Sequence, residues 1–198
     1  VSRRPASGTC CSALSQLSRI AGFTSVGVVG SSHKVQFARE FGADHVIDKS
    51  SENLWQRARE LAPDGYDAIF DANGYTTLAK SYAHLATTGK LIVYGSHSLL
   101  PKKGGRINYL KAAWGLWKTP RFNPLQMLSS NKTVSGFNIS FLFSRTDLLD
   151  EAMHTMLRAL AAKELRPPAI AEVPFREVAR AHQLIESGQS VGKIVLVF

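Results

Sequence analysis

No apolar run in this sequence approaches the ~18 residues that a membrane-spanning helix needs, so no segment reads as transmembrane. The opening Val1-Ser2-Arg3-Arg4-Pro5 is not followed by a long apolar stretch, so it does not read as a secretory signal. Cysteine is scarce: only Cys10 and Cys11 occur, and they are adjacent. Neighbouring cysteines rarely bridge each other, and two thiols cannot fill a four-ligand zinc site. A reduced, cytoplasmic protein is the expectation. Acid is missing from a long stretch as well. No Asp or Glu lies between Asp71 and Asp147, while ten lysines and arginines do, and the net charge is +9. Such a field draws anions: nucleotide phosphates, nucleic acid or acidic lipid. A solvated basic surface explains it equally well, and a nucleic-acid role has nothing beyond charge behind it.

What is present is an alternation of strand and helix signals over 198 residues, enough for one α/β domain with an appendage. Ala13, Leu14, Leu17, Ile20 and Ala21 recur at helical spacing, and Gly22 is placed to end that helix. Short apolar runs at 26–29, 46–47, 68–70 and 91–94 read as buried strands. Helices are expected between them, over 35–41, 51–61 and 76–85. Residues 99–131 break the rhythm with Pro101, Gly104, Gly105, Pro120 and Pro124, and read as a helical insertion. The alternation resumes with a strand over 134–139 and a helix over 146–163. Pro167-Pro168 marks a boundary, followed by a strand near 170–173, a helix over 175–187 and a strand over 193–198. Strands separated by single helices pair in parallel through right-handed crossovers, which predicts a doubly wound parallel sheet.

Ligands of such sheets sit at the carboxyl ends of the strands, where a glycine-rich turn lets backbone approach a pyrophosphate at a helix N-terminus. Here that turn reads Ser7-Gly8-Thr9-Cys10-Cys11, with Gly8 alone and no GxGxxG, so a loop glycine before a helix fits it as well. The end of the second strand says more. Proteins that prefer NAD place an acid there for the ribose hydroxyls; this chain has Gly30-Ser31-Ser32-His33-Lys34. Two hydroxyls and a lysine suit a 2′-phosphate, so NADPH is the expected cofactor. A short-chain dehydrogenase would need Tyr with Lys four residues on. Tyr66, Tyr75, Tyr82, Tyr94 and Tyr109 are followed at that spacing by Phe70, Ala79, Ala86, Ser98 and Ala113, which excludes it. A methyltransferase would also want an acid where Gly30 stands.

Three segments in order resemble the zinc-free medium-chain quinone-reductase family: Phe41-Gly42-Ala43-Asp44-His45-Val46-Ile47-Asp48, Tyr66-Asp67-Ala68-Ile69-Phe70-Asp71-Ala72-Asn73-Gly74, and Gly89-Lys90-Leu91-Ile92-Val93-Tyr94-Gly95. The ending from Ala181 to Leu196 resembles that family's C-terminus. The segment Tyr94-Gly95-Ser96, the tryptophan-bearing insertion and the run from Pro124 through Asn138 look most like its vesicle amine transport branch. The resemblance implies a Rossmann domain over 1–166, with the insertion at about 99–131. It also implies that 167–198 belongs with a GroES-like catalytic domain. By position it places Gly8, Thr9 and Cys11 at the pyrophosphate turn and Ser31, Ser32 and Lys34 at the 2′-phosphate. It places Asn73 and Gly74 near the adenosine, Tyr94, Gly95, Ser96, Phe137 and Asn138 at the nicotinamide, and Lys193 where the C-terminal segment closes over the cofactor.

Two departures stand out. Thr9 and Cys11 replace glycines, and residues 1–5 stand where the family has a buried apolar strand, a place two arginines cannot take without unpaired charge. The expectation is that this strand and the preceding barrel-like domain are lacking, and that the chain alone binds NADPH weakly or not at all. The family implies hydride transfer to a quinone or an α,β-unsaturated carbonyl, with the cofactor doing the chemistry, and a homodimer through the sixth strand. His33, His45, His84, His97, His154 and His182 are scattered, no metal set is expected, and no catalytic acid or base is named. The alternative is a non-catalytic protein on an acidic membrane. It rests on Lys102, Lys103, Arg106, Lys111, Lys118 and Arg121 interleaved with Tyr109, Leu110, Trp114, Leu116 and Trp117.

Overall fold

The computed structural model describes residues 9–99, 109–187 and 190–198. Helix α1 (Thr9–Ile20) leads into strand β1 (Val26–Val29), then a 3-10 turn and α2 (Val35–Glu40). Strand β2 (His45–Asp48), α3 (Leu54–Leu61), β3 (Tyr66–Asp71), α4 (Leu78–Ala83) and β4 (Leu85–Val93) continue the alternation. Helices α5 (Tyr109–Trp117) and α6 (Pro124–Ser130) form the described part of the insertion. Strand β5 (Thr133–Gly136) and α7 (Thr146–Ala161) follow, then β6 (Ile170–Pro174), α8 (Val178–Glu186) and β7 (Lys193–Val197). Local chemistry sets the helix starts. The Asn53 side chain accepts from the amides of Trp55 and Gln56, both at 3.1 Å, and so caps α3. Asn123 caps α6 in the same way, with Pro124 in the first turn where its missing N–H costs nothing.

Every described ladder is parallel, as the alternation predicts. The strands form separate ladders, β1-β2, β3-β4-β5 and β6-β7, instead of one continuous sheet. The first two share one core: Val26 and Ile47 pack with Ala58, Tyr66, Ile69, Leu78, Leu85 and Leu91. Ile47 and Leu91 are fully buried, each stabilising the fold by about 1.5–3 kcal/mol over an exposed side chain. Tyr66 keeps its place in that core because its hydroxyl donates to the Ala58 carbonyl at 2.8 Å, which ties β3 to α3. The apolar strand expected to be lacking falls on residues 1–5, outside the described residues.

Two readings of the sequence are corrected. The apolar stripe of α1 is not its buried face: Leu14 and Leu17 are half-buried and Ile20 is 43% exposed, while Ser12, Ser15, Gln16 and Ser18 are buried. The polar face is the one that α1 presents to the turn at Gly42 and, through Gln16, to Arg166. A β-carbon added to Gly42 would lie 3.6 Å from Gln16 Cα and from the Ser15 carbonyl oxygen. The expected helix over 76–85 ends at Ala83, and Leu85 already belongs to β4. The β3–β4 register jumps from Tyr66↔Leu85 to Ala68↔Lys90, so residues 86–89 bulge, with Thr88 at φ +67°. Such a bulge has no apolar alternation to announce it.

Cations in the acid-free stretch rest on rings. Lys118 Nζ lies 5.0 Å from the centroid of Trp114, whose ring is tilted against Trp117. Lys132 Nζ lies 5.3 Å from Tyr82 and donates to the Tyr82 carbonyl at 3.3 Å. Lys80 lies 5.8 Å from Trp55.

Candidate nucleotide-binding site

The loops that leave the carboxyl ends of β1, β2, β3, β4 and β5 carry most of the residues singled out in the sequence. After β1, Ser31 is extended (φ −166°) and its carbonyl accepts from the Lys34 amide at 3.1 Å, closing the 3-10 turn Ser32–Lys34. The Ser32 hydroxyl donates to Asp48 Oδ2 at 2.6 Å. Asp48 also accepts from the hydroxyl and the amide of Ser50. These hydrogen bonds, that of Ser32 first, hold its carboxyl at about 2, against an ordinary value of 3.8. An acid therefore does stand beside this loop, supplied by the end of β2, a strand later than the sequence reading looked. Its oxygens are already occupied by serine donors while it stays ionised, and the one proton of Ser32 is committed to it.

Lys49 is the residue that sequence reasoning missed. It follows Asp48 at the end of β2, and a β-carbon added to Gly30 would lie 3.4 Å from Lys49 Cε. Its side chain thus lies against Gly30, the residue that opens the loop after β1. No periodicity signal could have found it: Lys49 follows the last residue of β2 and has the same strand parity as the buried Ile47.

The ends of β3 and β4 are sewn together. Asp71 closes β3, and its Oδ1 accepts from the amides of Asn73 (2.8 Å) and Gly74 (3.1 Å) and from Thr77 Oγ1 (2.9 Å). Oδ2 accepts from Ser81 Oγ at 2.8 Å on α4, all at a residue only 3% exposed. The carbonyls of Asp71, Ala72 and Asn73 accept in turn from the amides of Tyr94 (3.0 Å), His97 (3.0 Å) and Ser98 (2.9 Å). Gly74 is left-handed (φ +88°), and a β-carbon there would come within 3.2 Å of Ser96 Cα. A β-carbon on Gly95 would lie 2.9 Å from the Ala72 carbonyl oxygen. Both glycines are thus required by backbone meeting backbone. Asn73, Gly74, Tyr94, Gly95 and Ser96 are brought into one structure.

After β5 the Phe137 amide donates to the Val93 carbonyl at 2.8 Å, extending the ladder by one residue, and the ring is 49% exposed. The Asn138 side-chain carbonyl accepts from the Ser140 amide at 3.0 Å, so it shapes the turn that follows. Open space faces Gly136. Thr9 and Cys11 lie in the first turn of α1, whose leading amides have no partner within the helix; Gly8 lies outside the described residues. Lys193 is not gathered with the rest. It opens β7, its register pairs it with Ile170, and its amide donates to the Ala169 carbonyl. The donor set does not furnish a zinc site: among the described residues no three of His, Cys, Asp and Glu converge to hold a metal. No described helix is long and apolar enough to cross a membrane.

Parallel strands with hydroxyl, lysine and backbone donors at their carboxyl ends define an α/β protein of the class that holds its ligands there. Residues 41–196 match the zinc-binding dehydrogenase family, to which this chain belongs. It is 28% identical over 182 residues to the human synaptic vesicle membrane protein VAT-1 homolog, covering 92% of this chain and 46% of that protein. It is 28% identical over 193 residues to a probable quinone oxidoreductase of Leishmania amazonensis, covering 96% of this chain and 54% of that one. Among solved structures, a mycobacterial protein complexed with NADPH superposes with a TM-score of 0.75 at 25% identity, over 99% of this chain and 56% of that one. The chain spans about half the length of the curated relatives it matches.

Proposed function

We propose that this chain is the nucleotide-binding part of an NADPH-dependent oxidoreductase that passes hydride to quinones or α,β-unsaturated carbonyls without zinc. One observation carries the cofactor assignment: Lys34 and Lys49 flank the Gly30–Ser32 loop, and the neighbouring carboxylate is occupied by serine donors. Two cations and an extended hydroxyl suit a 2′-phosphate and offer nothing particular to a bare ribose. The mycobacterial relative solved with NADPH and the Leishmania relative named as a quinone oxidoreductase support this reading. When bound, NADPH supplies the hydride. The chain's own residues bind and orient it: the amides of the first turn of α1 at the pyrophosphate, the coupled turns after β3 and β4 along the ribose and nicotinamide, and Phe137 as an apolar wall. Residues 167–198 we assign to the substrate-side domain. Fluorescence titration with NADPH and NADH, carried into the millimolar range, is the test. NADPH binds about tenfold tighter, a difference of about 1.4 kcal/mol, and equal affinities sink the assignment.

A second reading has its own observation. On α5, Tyr109, Leu110, Leu116 and Trp117 are all exposed, Trp117 by 71%, beside Lys118 and Arg121. Aromatic and aliphatic side chains bordered by cations suit the interface of an acidic bilayer. Sedimentation with anionic vesicles against neutral ones separates this reading from a purely catalytic one.

A further inference from the structure

We propose that Asp71 is a positioning residue for nucleotide binding: its buried carboxylate fixes the turn after β3, and through that turn the segment after β4. The proposal rests on the nucleotide reading above and deepens it, because it assigns the geometry of the cleft to a residue that touches no ligand. Four donors converge on this one carboxylate, two backbone amides and two hydroxyls, and they come from both the turn and α4. The turn then offers its carbonyls to His97 and Ser98, and its left-handed Gly74 lies against Ser96. Neither turn is held to the other by a side chain in these contacts; they meet as backbone on backbone. Such a seam has no slack of its own, so its placement is inherited from whatever anchors one side. Among the described residues that anchor is Asp71, through Thr77 and Ser81 to α4. Loss of the carboxylate leaves the Asn73 amide and the buried Gly74 amide without this acceptor and frees both turns together. A site that needs its donors placed within about 0.5 Å does not tolerate that.

The chain contains its own control. Asp44 does similar work at the amino end of the β1-β2 ladder, before its strands begin. Its Oδ2 accepts from the Ser25 amide at 2.7 Å and the Ser25 hydroxyl at 3.1 Å. Both carboxylates brace loops, but only Asp71 braces the carboxyl ends where ligands of parallel sheets bind. The experiment compares Asp71→Ala, Asp71→Asn and Asp44→Ala in the whole chain, by amide hydrogen exchange without ligand and with about 5 mM NADPH, and by NADPH titration. Asp71→Ala speeds exchange about tenfold at Asn73 and Gly74 and equally at His97 and Ser98, and weakens NADPH about tenfold. Asp71→Asn keeps an acceptor at Oδ1 and restores both to within about threefold. Asp44→Ala destabilises the chain while leaving these four amides and NADPH affinity within about twofold. If Asp71→Ala does not fold, Thr77→Val, which removes one donor to Oδ1, shows the same pattern at smaller size. Fast exchange confined to Asn73 and Gly74, with NADPH affinity unchanged, overturns the proposal. Failure of the unaltered chain to respond to NADPH overturns the nucleotide reading instead, and the coupling of the two turns is then decided by the ligand-free exchange alone.

Discussion

Gln16 holds both backbone groups of Arg166: its Oε1 accepts from the Arg166 amide at 2.8 Å, and its Nε2 donates to the Arg166 carbonyl at 3.1 Å. The glutamine is 2% exposed, and the clasp joins α1 to the approach to β6 across 150 residues of chain. Arg166 adds a bond of 2.9 Å from Nη2 to the Glu40 carbonyl and lays its guanidinium 5.9 Å from the Phe41 ring. Gln16→Leu keeps the volume and removes both bonds. It is expected to cost about 1–3 kcal/mol, or a fall in Tm of roughly 2–4 °C for each kcal/mol in a chain of this size. Thermal and urea unfolding measure it; an unchanged midpoint would show that the clasp contributes nothing net.

Asp48 makes stability depend on acid. Its carboxyl is held at about 2 by Ser32 and Ser50, below the 3.8 it has when unfolded. A depressed folded value means the contribution is fully present above pH ~4 and is lost as pH falls toward ~2. Urea midpoints across that window fall more steeply for the unaltered chain than for Asp48→Asn. Parallel curves would remove Asp48 from the account.

Lys34 and Lys49 test the proposed 2′-phosphate site by separating affinity from selectivity. Lys34→Ala and Lys49→Ala each weaken NADPH about tenfold and leave NADH within about twofold, since NADH has no 2′-phosphate to lose. Raising salt shrinks the difference because the loop is open to solvent. An equal loss for both nucleotides would mean that the lysines act on the pyrophosphate instead.

A dimer is expected through the edge that follows β5, which pairs on one side with β4 and is the outer strand of its ladder among the described residues. Phe141 and Phe143 just beyond it are 82% and 68% exposed. Sedimentation at micromolar concentration gives a dimer, and a clean monomer rules it out.

Apolar runs made the strand cores legible, because a buried parallel strand has to be apolar on both faces; β1 falls on the four residues so read. Three features were hidden for different reasons. The buried polar face of α1 depends on how near Gly42 comes, a tertiary fact that no periodicity encodes. The bulge in β4 is a register event between two strands. Asp48 and Lys49 enter the site from β2, so reading the loop after β1 alone could not find them. Glycine was legible at Gly74 and Gly95 but for another cause: the close approach is of chain to chain.

The ring-seated lysines have a consequence for the field around the molecule. A carboxylate that grips a lysine also cancels it, so the pair vanishes beyond a few ångströms. An aromatic face attracts the ammonium through its quadrupole and carries no net charge to offset it. Lys118 over Trp114 and Lys132 over Tyr82 are therefore held in place without being neutralised. Between Asp71 and Asp147, where the sequence has no acid, these two cations are anchored on rings and keep their charge. An incoming anion meets charges that need not be ordered first, which favours fast, salt-dependent capture over slow, tight holding.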